Sequence, residues 1–229
     1  MQNFQVSERL VSFLTFLPVF FISITFHEFA HALSAQILGD NTAKKQGRLS
    51  LNPLKHIDLV GTIIMPLASF ATGFALIGWA KPVPVNMKNF SSPYRDDAIV
   101  SFAGPLSNML LALMFLLLFK LSAGWNSEYH IQIINFFWYG VFLNVFLFAF
   151  NILPLPPLDG SHILFDLFPS KFTASLLNLG IYGSIVLMLF IYSPLWKYFM
   201  SLINFILTFL KFHSLNFEMH QILPSQKFP

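Results

Sequence analysis

Long apolar runs are the feature that most restricts how this chain can fold. Each run is close to or above the length of about 18 residues that an α-helix needs to cross a bilayer. With 55% hydrophobic and 10% charged residues, the chain has too little polar surface for a soluble domain of its size. We therefore predict an all-α integral membrane protein with about six membrane-embedded segments. These are residues 10–38, 58–80, 98–119, 131–150, 173–193 and 195–212.

The second segment is unusual for a membrane span. Glycine and proline divide it into two shorter apolar pieces, at Gly61, Pro66, Gly73 and Gly78. If this segment enters the membrane and returns on the same side, most basic residues fall on one face, as expected of a cytoplasmic face. These are Lys44, Lys45, Arg48, Lys55, Lys81, Lys88 and Arg95. A re-entrant segment is therefore favoured, and an ordinary span with tolerated glycines is the alternative.

The polar intervals between the apolar segments are too short to form a second folded domain. We predict one membrane-embedded domain over residues 1–212, followed by a short polar tail at 213–229. The N-terminal apolar run continues far beyond the core of a signal peptide, so we expect it to be retained. Because the basic residues are scattered, nucleic-acid binding is not expected. The sequence does not predict an oligomeric state.

The motif HEFAH, residues 27–31, lies inside the first apolar segment. On a helix, His27 and His31 project from one face at a spacing that a single metal ion can bridge. Glu28 lies beside that face, where a carboxylate can act as the general base toward water. The chain contains no cysteine, so histidine and carboxylate must supply the ligands. A charge in a membrane helix costs about 2.5–3.5 kcal/mol on insertion scales, which favours a metal site over chance.

A catalytic zinc site needs a third protein ligand and an open position for water. Asp159 is the candidate, because it lies in an unusual embedded stretch, NILPLPPLDGSHILF, at residues 151–165. The prolines of this stretch forbid regular helix, and such backbone is tolerated at membrane depth where it lines a cavity. For His162 the favoured interpretation is a polar residue that lines the cavity or the membrane interface, and the alternatives are a metal ligand or a partner of Asp159. An exposed interfacial turn is the simpler interpretation of this stretch taken alone.

Three motifs, in order along the chain, carry a resemblance to a known family. They are HEFAH, then AGPLSN at residues 103–108, then NILPLPPLDG at residues 151–160. Together they resemble the site-2 protease family of intramembrane zinc metalloproteases, in the short form without PDZ or CBS domains. The resemblance implies a catalytic core built from the first, third and fourth segments. It also matches Asn108 to the asparagine of the family's GPxxN motif, whose role is left open.

The resemblance implies a role for each matching residue. His27, His31 and Asp159 correspond to the ligands of one zinc ion per chain, and Glu28 corresponds to the catalytic base. Asn151 corresponds to a family asparagine that holds the substrate or the oxyanion. The family's core also enters the membrane without crossing it between its first two motifs, in agreement with the charge distribution above.

The expected function is hydrolysis of a peptide bond in or near the transmembrane segment of another membrane protein, as in regulated intramembrane proteolysis. We expect a multi-pass protein of a bacterial plasma membrane, with the active site near the cytoplasmic face. A metal transporter is the first alternative, but it needs ligands along a route instead of one concentrated site. A di-iron enzyme needs more clustered histidines than this sequence offers, and a scaffold that binds partners without cutting is the third alternative.

Overall fold

The computed structural model describes residues 2–72, 78–122, 124–125 and 128–214. No strand occurs in these ranges, which confirms the predicted all-helical architecture. Short helical turns at Pro53–Lys55, Leu59–Ile64 and Met87–Asn89 complete the structure between the α-helices. The α-helices are α1 (Gln2–Ile37), α2 (Thr42–Lys45), α3 (Met65–Thr72), α4 (Pro93–Ser122), α5 (His130–Ile152), α6 (Asp159–Leu167), α7 (Lys171–Leu177), α8 (Ile181–Tyr192) and α9 (Pro194–Ser214).

Three of the described helices are long and apolar enough to cross a membrane: Leu10–Ile37, Pro93–Ser122 and His130–Ile152. A fourth span results if the pair Lys171–Leu177 and Tyr182–Tyr192, bent by 88°, is counted as one. The apolar part of α9 is shorter, at Pro194–Leu210. These helices and the family relationship reported below make the chain a multi-pass membrane protein.

The second apolar segment does not run from one side of the fold to the other. Its two ends lie side by side, since the Trp79 N–H donates to the Gly61 carbonyl at 3.1 Å. The Lys81 N–H likewise donates to the His56 carbonyl at 2.9 Å. A segment whose ends meet in this way returns to the side of the fold on which it begins, which fits the re-entrant course that the charge distribution favoured. Residues 73–77, which contain Gly73, lie outside the described part of the chain.

Helices α1, α4 and α5 form the central bundle, with α6 packed against α4. The largest buried apolar cluster joins α4, α5 and α9. Gly140 of α5 lies against Phe115 of α4, and a Cβ at this position would overlap the phenyl ring. A small residue therefore allows these two helices to approach closely, as is common between membrane helices.

Large apolar side chains also cover the outside of the bundle. On α4, Leu110, Leu113 and Leu117 are exposed, and on α9 Leu202 and Phe205 are exposed. Such surfaces suit contact with lipid acyl chains and would be unfavourable in water. The predicted polar tail lies mainly outside the described residues, because α9 continues to Ser214. The predicted domain boundary at residue 212 therefore stays a prediction.

The connection after α1 is held by the buried carboxylate of Asp40. Its oxygens accept hydrogen bonds from the Asn86 N–H at 2.8 Å, the Asn89 amide at 2.7 Å and the Thr42 N–H at 3.0 Å. Burial alone would raise the pKa of Asp40, but these donors stabilise the ionised form and lower the pKa below its ordinary value of 3.8. Asp40 thereby ties the end of α1 to the segment around Asn86.

Replacing Asp40 by asparagine should destabilise the fold by about 1–3 kcal/mol near neutral pH, because a buried donor loses its acceptor. The depressed pKa makes the carboxylate's contribution present above pH 3.8 and lost as the pH falls through the folded-state value. The stability gap between wild type and Asp40→Asn should therefore shrink in acid. Thermal unfolding of both proteins in detergent micelles, from pH 7 to pH 2.5, measures this gap, and a constant gap would contradict the assignment.

Candidate metal centre

Two helices bring three potential metal ligands together. His27 and His31 lie one turn apart on α1, and Asp159 is the first residue of α6. The two imidazole Nε2 atoms are 3.1 Å apart. Oδ2 of Asp159 lies 3.2 Å from Nε2 of His27 and 3.4 Å from Nε2 of His31. The structure therefore brings together the three residues that the sequence singled out, although they are separated by more than half of the chain.

Contacts on the far side of each imidazole orient the Nε2 atoms toward one point. Nδ1 of His31 lies 2.7 Å from the Val100 carbonyl, which can only accept a hydrogen bond. Nδ1 of His31 therefore carries a proton, and in the neutral imidazole Nε2 carries the lone pair. Nδ1 of His27 lies 2.6 Å from Oδ1 of Asn108. Asn108, which the sequence matched to a motif without a role, thus contacts a candidate ligand directly.

The donor set fits a zinc ion. Three electron-rich atoms face one another, and Oδ2 of Asp159 is buried without a hydrogen-bond partner among the residues that the structure describes. Such an arrangement is unfavourable unless a cation lies between the atoms. Ligands about 2.0–2.1 Å from a tetrahedral zinc are separated by about 3.3 Å, close to the distances reported above. Two histidines and one carboxylate also leave the fourth position open, as catalytic zinc sites require.

Two glycines permit the close helix contacts at this centre. A Cβ on Gly104 of α4 would overlap the imidazoles of His31 and His27. A Cβ on Gly160 would overlap the carbonyls of Ile152 and Leu153 at the end of α5. The structure thus identifies the neighbours of Gly104 as the two candidate ligands. Both glycines belong to the motifs that carry the family resemblance.

Glu28 lies beside the three ligands and is 8% exposed. Its Oε2 accepts a hydrogen bond of 2.8 Å from the Val83 N–H. Glu28, His31 and Asp159 line a cavity of about 290 Å³. Val83 and Val85 line the same cavity. The carboxylate therefore faces the space in which a substrate and a water molecule would meet next to the ligands.

The segment Lys81–Asn86, which we call the strap, passes over the cavity. The Arg48 guanidinium donates to the carbonyl of Lys81 and, at 3.3 Å, to that of Pro82. Prolines at two of its positions lack an N–H, so Val83 keeps one of the few donors that the strap can direct at Glu28. Sequence reasoning gave Val83 and Arg48 no role at the site. The alternating prolines indicate an extended segment, but they do not indicate which helix that segment crosses.

His162 does not join the three ligands. Its Nδ1 lies 3.4 Å from Oδ2 of Asp97 on α4, and both residues border the same cavity. The observed partner of His162 is therefore Asp97 and not Asp159. Sequence reasoning missed Asp97 as a cavity residue, although an acidic residue at the start of an apolar helix was a visible signal.

Asn151 lies in the last turn of α5, next to the turn that leads to Asp159. Its amide donates to the Leu147 carbonyl of its own helix at 3.0 Å. The described residues that line the cavity do not include it. A contact of Asn151 with the substrate or the oxyanion therefore stays a prediction.

Long apolar helices that bring together two histidines, an aspartate as third candidate ligand and a neighbouring glutamate fit one class of protein, the membrane metalloproteases. Within that class, the chain belongs to peptidase family M50, the site-2 protease family. The model of this family matches residues 121–191, which include Asp159. This match, together with the relatives below, confirms the family that the resemblance indicated, whereas HEFAH and AGPLSN lie outside the matched residues.

The curated relatives give the same class. "Putative zinc metalloprotease YwhC" of Bacillus subtilis is 43% identical over 181 residues, covering 77% of this chain and 80% of the relative. Rip2 of Mycolicibacterium smegmatis, with the same description, is 34% identical over 143 residues, or 61% of this chain and 51% of Rip2. Rip2 of Mycobacterium tuberculosis H37Rv is 30% identical over 144 residues. No solved structure matches the chain. These names support a zinc metalloprotease.

Proposed function

We propose that this protein is an intramembrane zinc endopeptidase that hydrolyses peptide bonds in or near transmembrane segments of other membrane proteins. The observation that carries the proposal is the meeting of three potential ligand atoms, from His27, His31 and Asp159, at the edge of a cavity that Glu28 also lines. One zinc ion per chain would be held by His27, His31 and Asp159. When bound, zinc would supply a Lewis acid that lowers the pKa of water and polarises the scissile carbonyl.

The protein residues would move the proton and hold the chain. Glu28 takes a proton from the attacking water and delivers it to the leaving amine, as a positioned carboxylate can. The Val83 N–H keeps one oxygen of Glu28 in place, so the other oxygen is available to water. Asn151 would hold the substrate backbone or the developing oxyanion, which requires a rotation of its amide away from the Leu147 carbonyl.

The position of the ligands along α1 supports cleavage within the membrane. His31 lies six residues before the end of α1 at Ile37, which corresponds to about 9 Å along a helix axis. The connection that follows α1 carries Lys44, Lys45 and Arg48, and basic connections face the cytoplasm. We therefore place the proposed site below the cytoplasmic surface of a plasma membrane. A helical substrate must unwind locally there, because its amides are otherwise engaged in intrahelical bonds.

Cleavage of membrane-anchored reporters tests this function. The purified protein in lipid nanodiscs would be mixed with reporters that each carry a transmembrane segment, and mass spectrometry would locate the cut. We expect cuts within or next to the segment, loss of cutting after zinc is removed by a chelator, and recovery when zinc is returned. The matched control is the same peptide sequence in a soluble carrier.

Three results would contradict the proposal. Cutting that persists at full rate after the metal is removed would exclude the zinc mechanism. No cutting of any reporter, combined with zinc movement across protein-containing vesicles, would favour the transporter alternative. Binding of reporters without cutting by the zinc-loaded protein would favour a scaffold.

A further inference from the structure

Three polar residues lie fully inside the apolar bundle, next to the metal centre but outside the cavity. Ser23 of α1, Asn108 of α4 and Asn144 of α5 each have 0% exposure. Burying an amide among membrane helices is costly unless its donors and acceptors are all paired. A group of this kind, with one member on each central helix, calls for a specific explanation.

The three side chains form a continuous chain of hydrogen bonds that ends at His27. Oδ1 of Asn108 lies 2.6 Å from Nδ1 of His27, and the Asn108 amide nitrogen lies 2.9 Å from Oδ1 of Asn144. The Asn144 amide nitrogen lies 2.9 Å from both Oγ of Ser23 and the Gly140 carbonyl. The Ser23 hydroxyl in turn donates to the Val19 carbonyl at 2.7 Å. We call this chain of bonds the amide relay.

Backbone carbonyls determine the direction of every bond in the relay, because a carbonyl can only accept. The Gly140 carbonyl requires the NH₂ group of Asn144 on its side, so the oxygen of Asn144 faces Asn108. The NH₂ group of Asn108 must then face Asn144, and the Ser23 carbonyl at 3.2 Å makes the same demand. The oxygen of Asn108 is therefore the atom that meets His27. It can accept only from a protonated Nδ1, so in the neutral imidazole the lone pair is on Nε2.

We propose that Asn108 and Asn144 are positioning residues that hold His27 in the Nδ1–H tautomer required of a metal ligand. The proposal rests on the zinc site of the proposed function. His31 has the same tautomer for a simpler reason, since its Nδ1 meets the Val100 carbonyl directly. Around His27, α4 supplies an asparagine side chain instead of a carbonyl, and an isolated amide can rotate. Asn144 at 2.9 Å, with the more distant Ser23 carbonyl at 3.2 Å, removes that freedom, because both accept only from the NH₂ end of the Asn108 amide.

The tautomer of His27 in the metal-free protein is the direct test. Nitrogen NMR of histidine-labelled protein distinguishes a protonated Nδ1 from a protonated Nε2. The spectra are recorded at a pH high enough to keep both imidazoles neutral. Under that condition we expect wild type to show Nδ1–H for His27 and His31, and Asn144→Leu to show a mixture for His27 alone. His31 is the internal control, because its partner is a backbone carbonyl. Equal changes at His27 and His31, or no change at His27, would overturn the proposal.

Zinc affinity, measured by competition with a chelator, gives a second measurement that does not depend on proteolysis. Asn108→Leu should weaken zinc binding about 10–100-fold, as loss of a contact behind a ligand usually does. Asn144→Leu should weaken it about threefold to tenfold, the value of one neutral hydrogen bond. Unchanged affinity in both variants would overturn the proposal. Weakened affinity with an altered His27 tautomer supports it even if no substrate is ever cut.

Two matched serine variants distinguish an effect on the amide relay from a general loss of stability. They also provide a test if a leucine variant fails to fold. Ser23 and Ser122 are both fully buried, and each hydroxyl donates to a carbonyl of its own helix. Only Ser23 also accepts from Asn144. Ser23→Ala removes one of the two acceptors of the Asn144 NH₂ group and leaves the Gly140 carbonyl, so it should shift the His27 tautomer less than Asn144→Leu but more than Ser122→Ala at equal losses of thermal stability. Equal shifts in the two variants would overturn the proposal.

Discussion

Replacing Glu28 by glutamine is expected to lower the turnover number by about 100-fold to 10,000-fold, which is the usual contribution of a general base. Glutamine has nearly the same shape and keeps an oxygen that can accept from the Val83 N–H. It cannot take a proton from water. The three candidate ligands are unchanged in this variant, so bound zinc should stay at the wild-type level.

Zinc content and initial cleavage rates of the two purified proteins, measured on one membrane-anchored reporter, check this expectation. Glu128→Gln is the matched control, because Glu128 is an exposed glutamate in the connection between α4 and α5. That variant should cut at the wild-type rate. If Glu28→Gln retains its zinc and cuts as fast as wild type, Glu28 is not the base. If Glu28→Gln loses its zinc, Glu28 contributes to metal binding instead of to proton transfer.

Replacing Asp159 by alanine is expected to reduce zinc affinity by more than the roughly 100-fold that loss of an outer contact can cause. Two imidazoles alone would then remain to hold the ion, without the negative charge that offsets the cation. The change is confined to the first residue of α6, so the contacts of His27 with Asn108 and of His31 with Val100 should persist.

Two controls on the same helix make this result specific. Asp166→Ala removes another buried aspartate of α6, and His162→Ala removes the histidine that the sequence offered as an alternative ligand. Both variants should keep zinc affinity within a few-fold of wild type. Wild-type affinity in Asp159→Ala together with a loss in His162→Ala would assign the third ligand to His162 instead.

Local patterns were sufficient for the parts of the site that lie within one helix. The spacing of His27 and His31 predicts that both imidazoles share a face, because a helix returns to the same side every 3.6 residues. The apolar segments predicted the helical architecture, and the glycines and prolines of the second segment predicted its return. Asp159 was identified partly by its unusual proline-rich setting and partly by the family resemblance.

Contacts between distant segments could not be predicted in the same way. Nothing in the order of residues indicates that the Val83 N–H meets Glu28, or that Asp97 and not Asp159 is the neighbour of His162. The sequence did not predict a role for Asn144, because a single asparagine in an apolar run forms no pattern of spacing. Its meaning depends on which residues of α1 and α4 pack against it.

The sequence by itself therefore determined the membrane location, the helical class, the family and the positions along the chain of the proposed ligands and base. These properties depend on hydrophobic length, helical period and short motifs, which are local. The tertiary structure alone decided the convergence of Asp159 on the two histidines, the course of the strap and the direction of the amide relay. Such features depend on helix packing, where one glycine such as Gly104 decides whether two helices can approach closely enough to form the site.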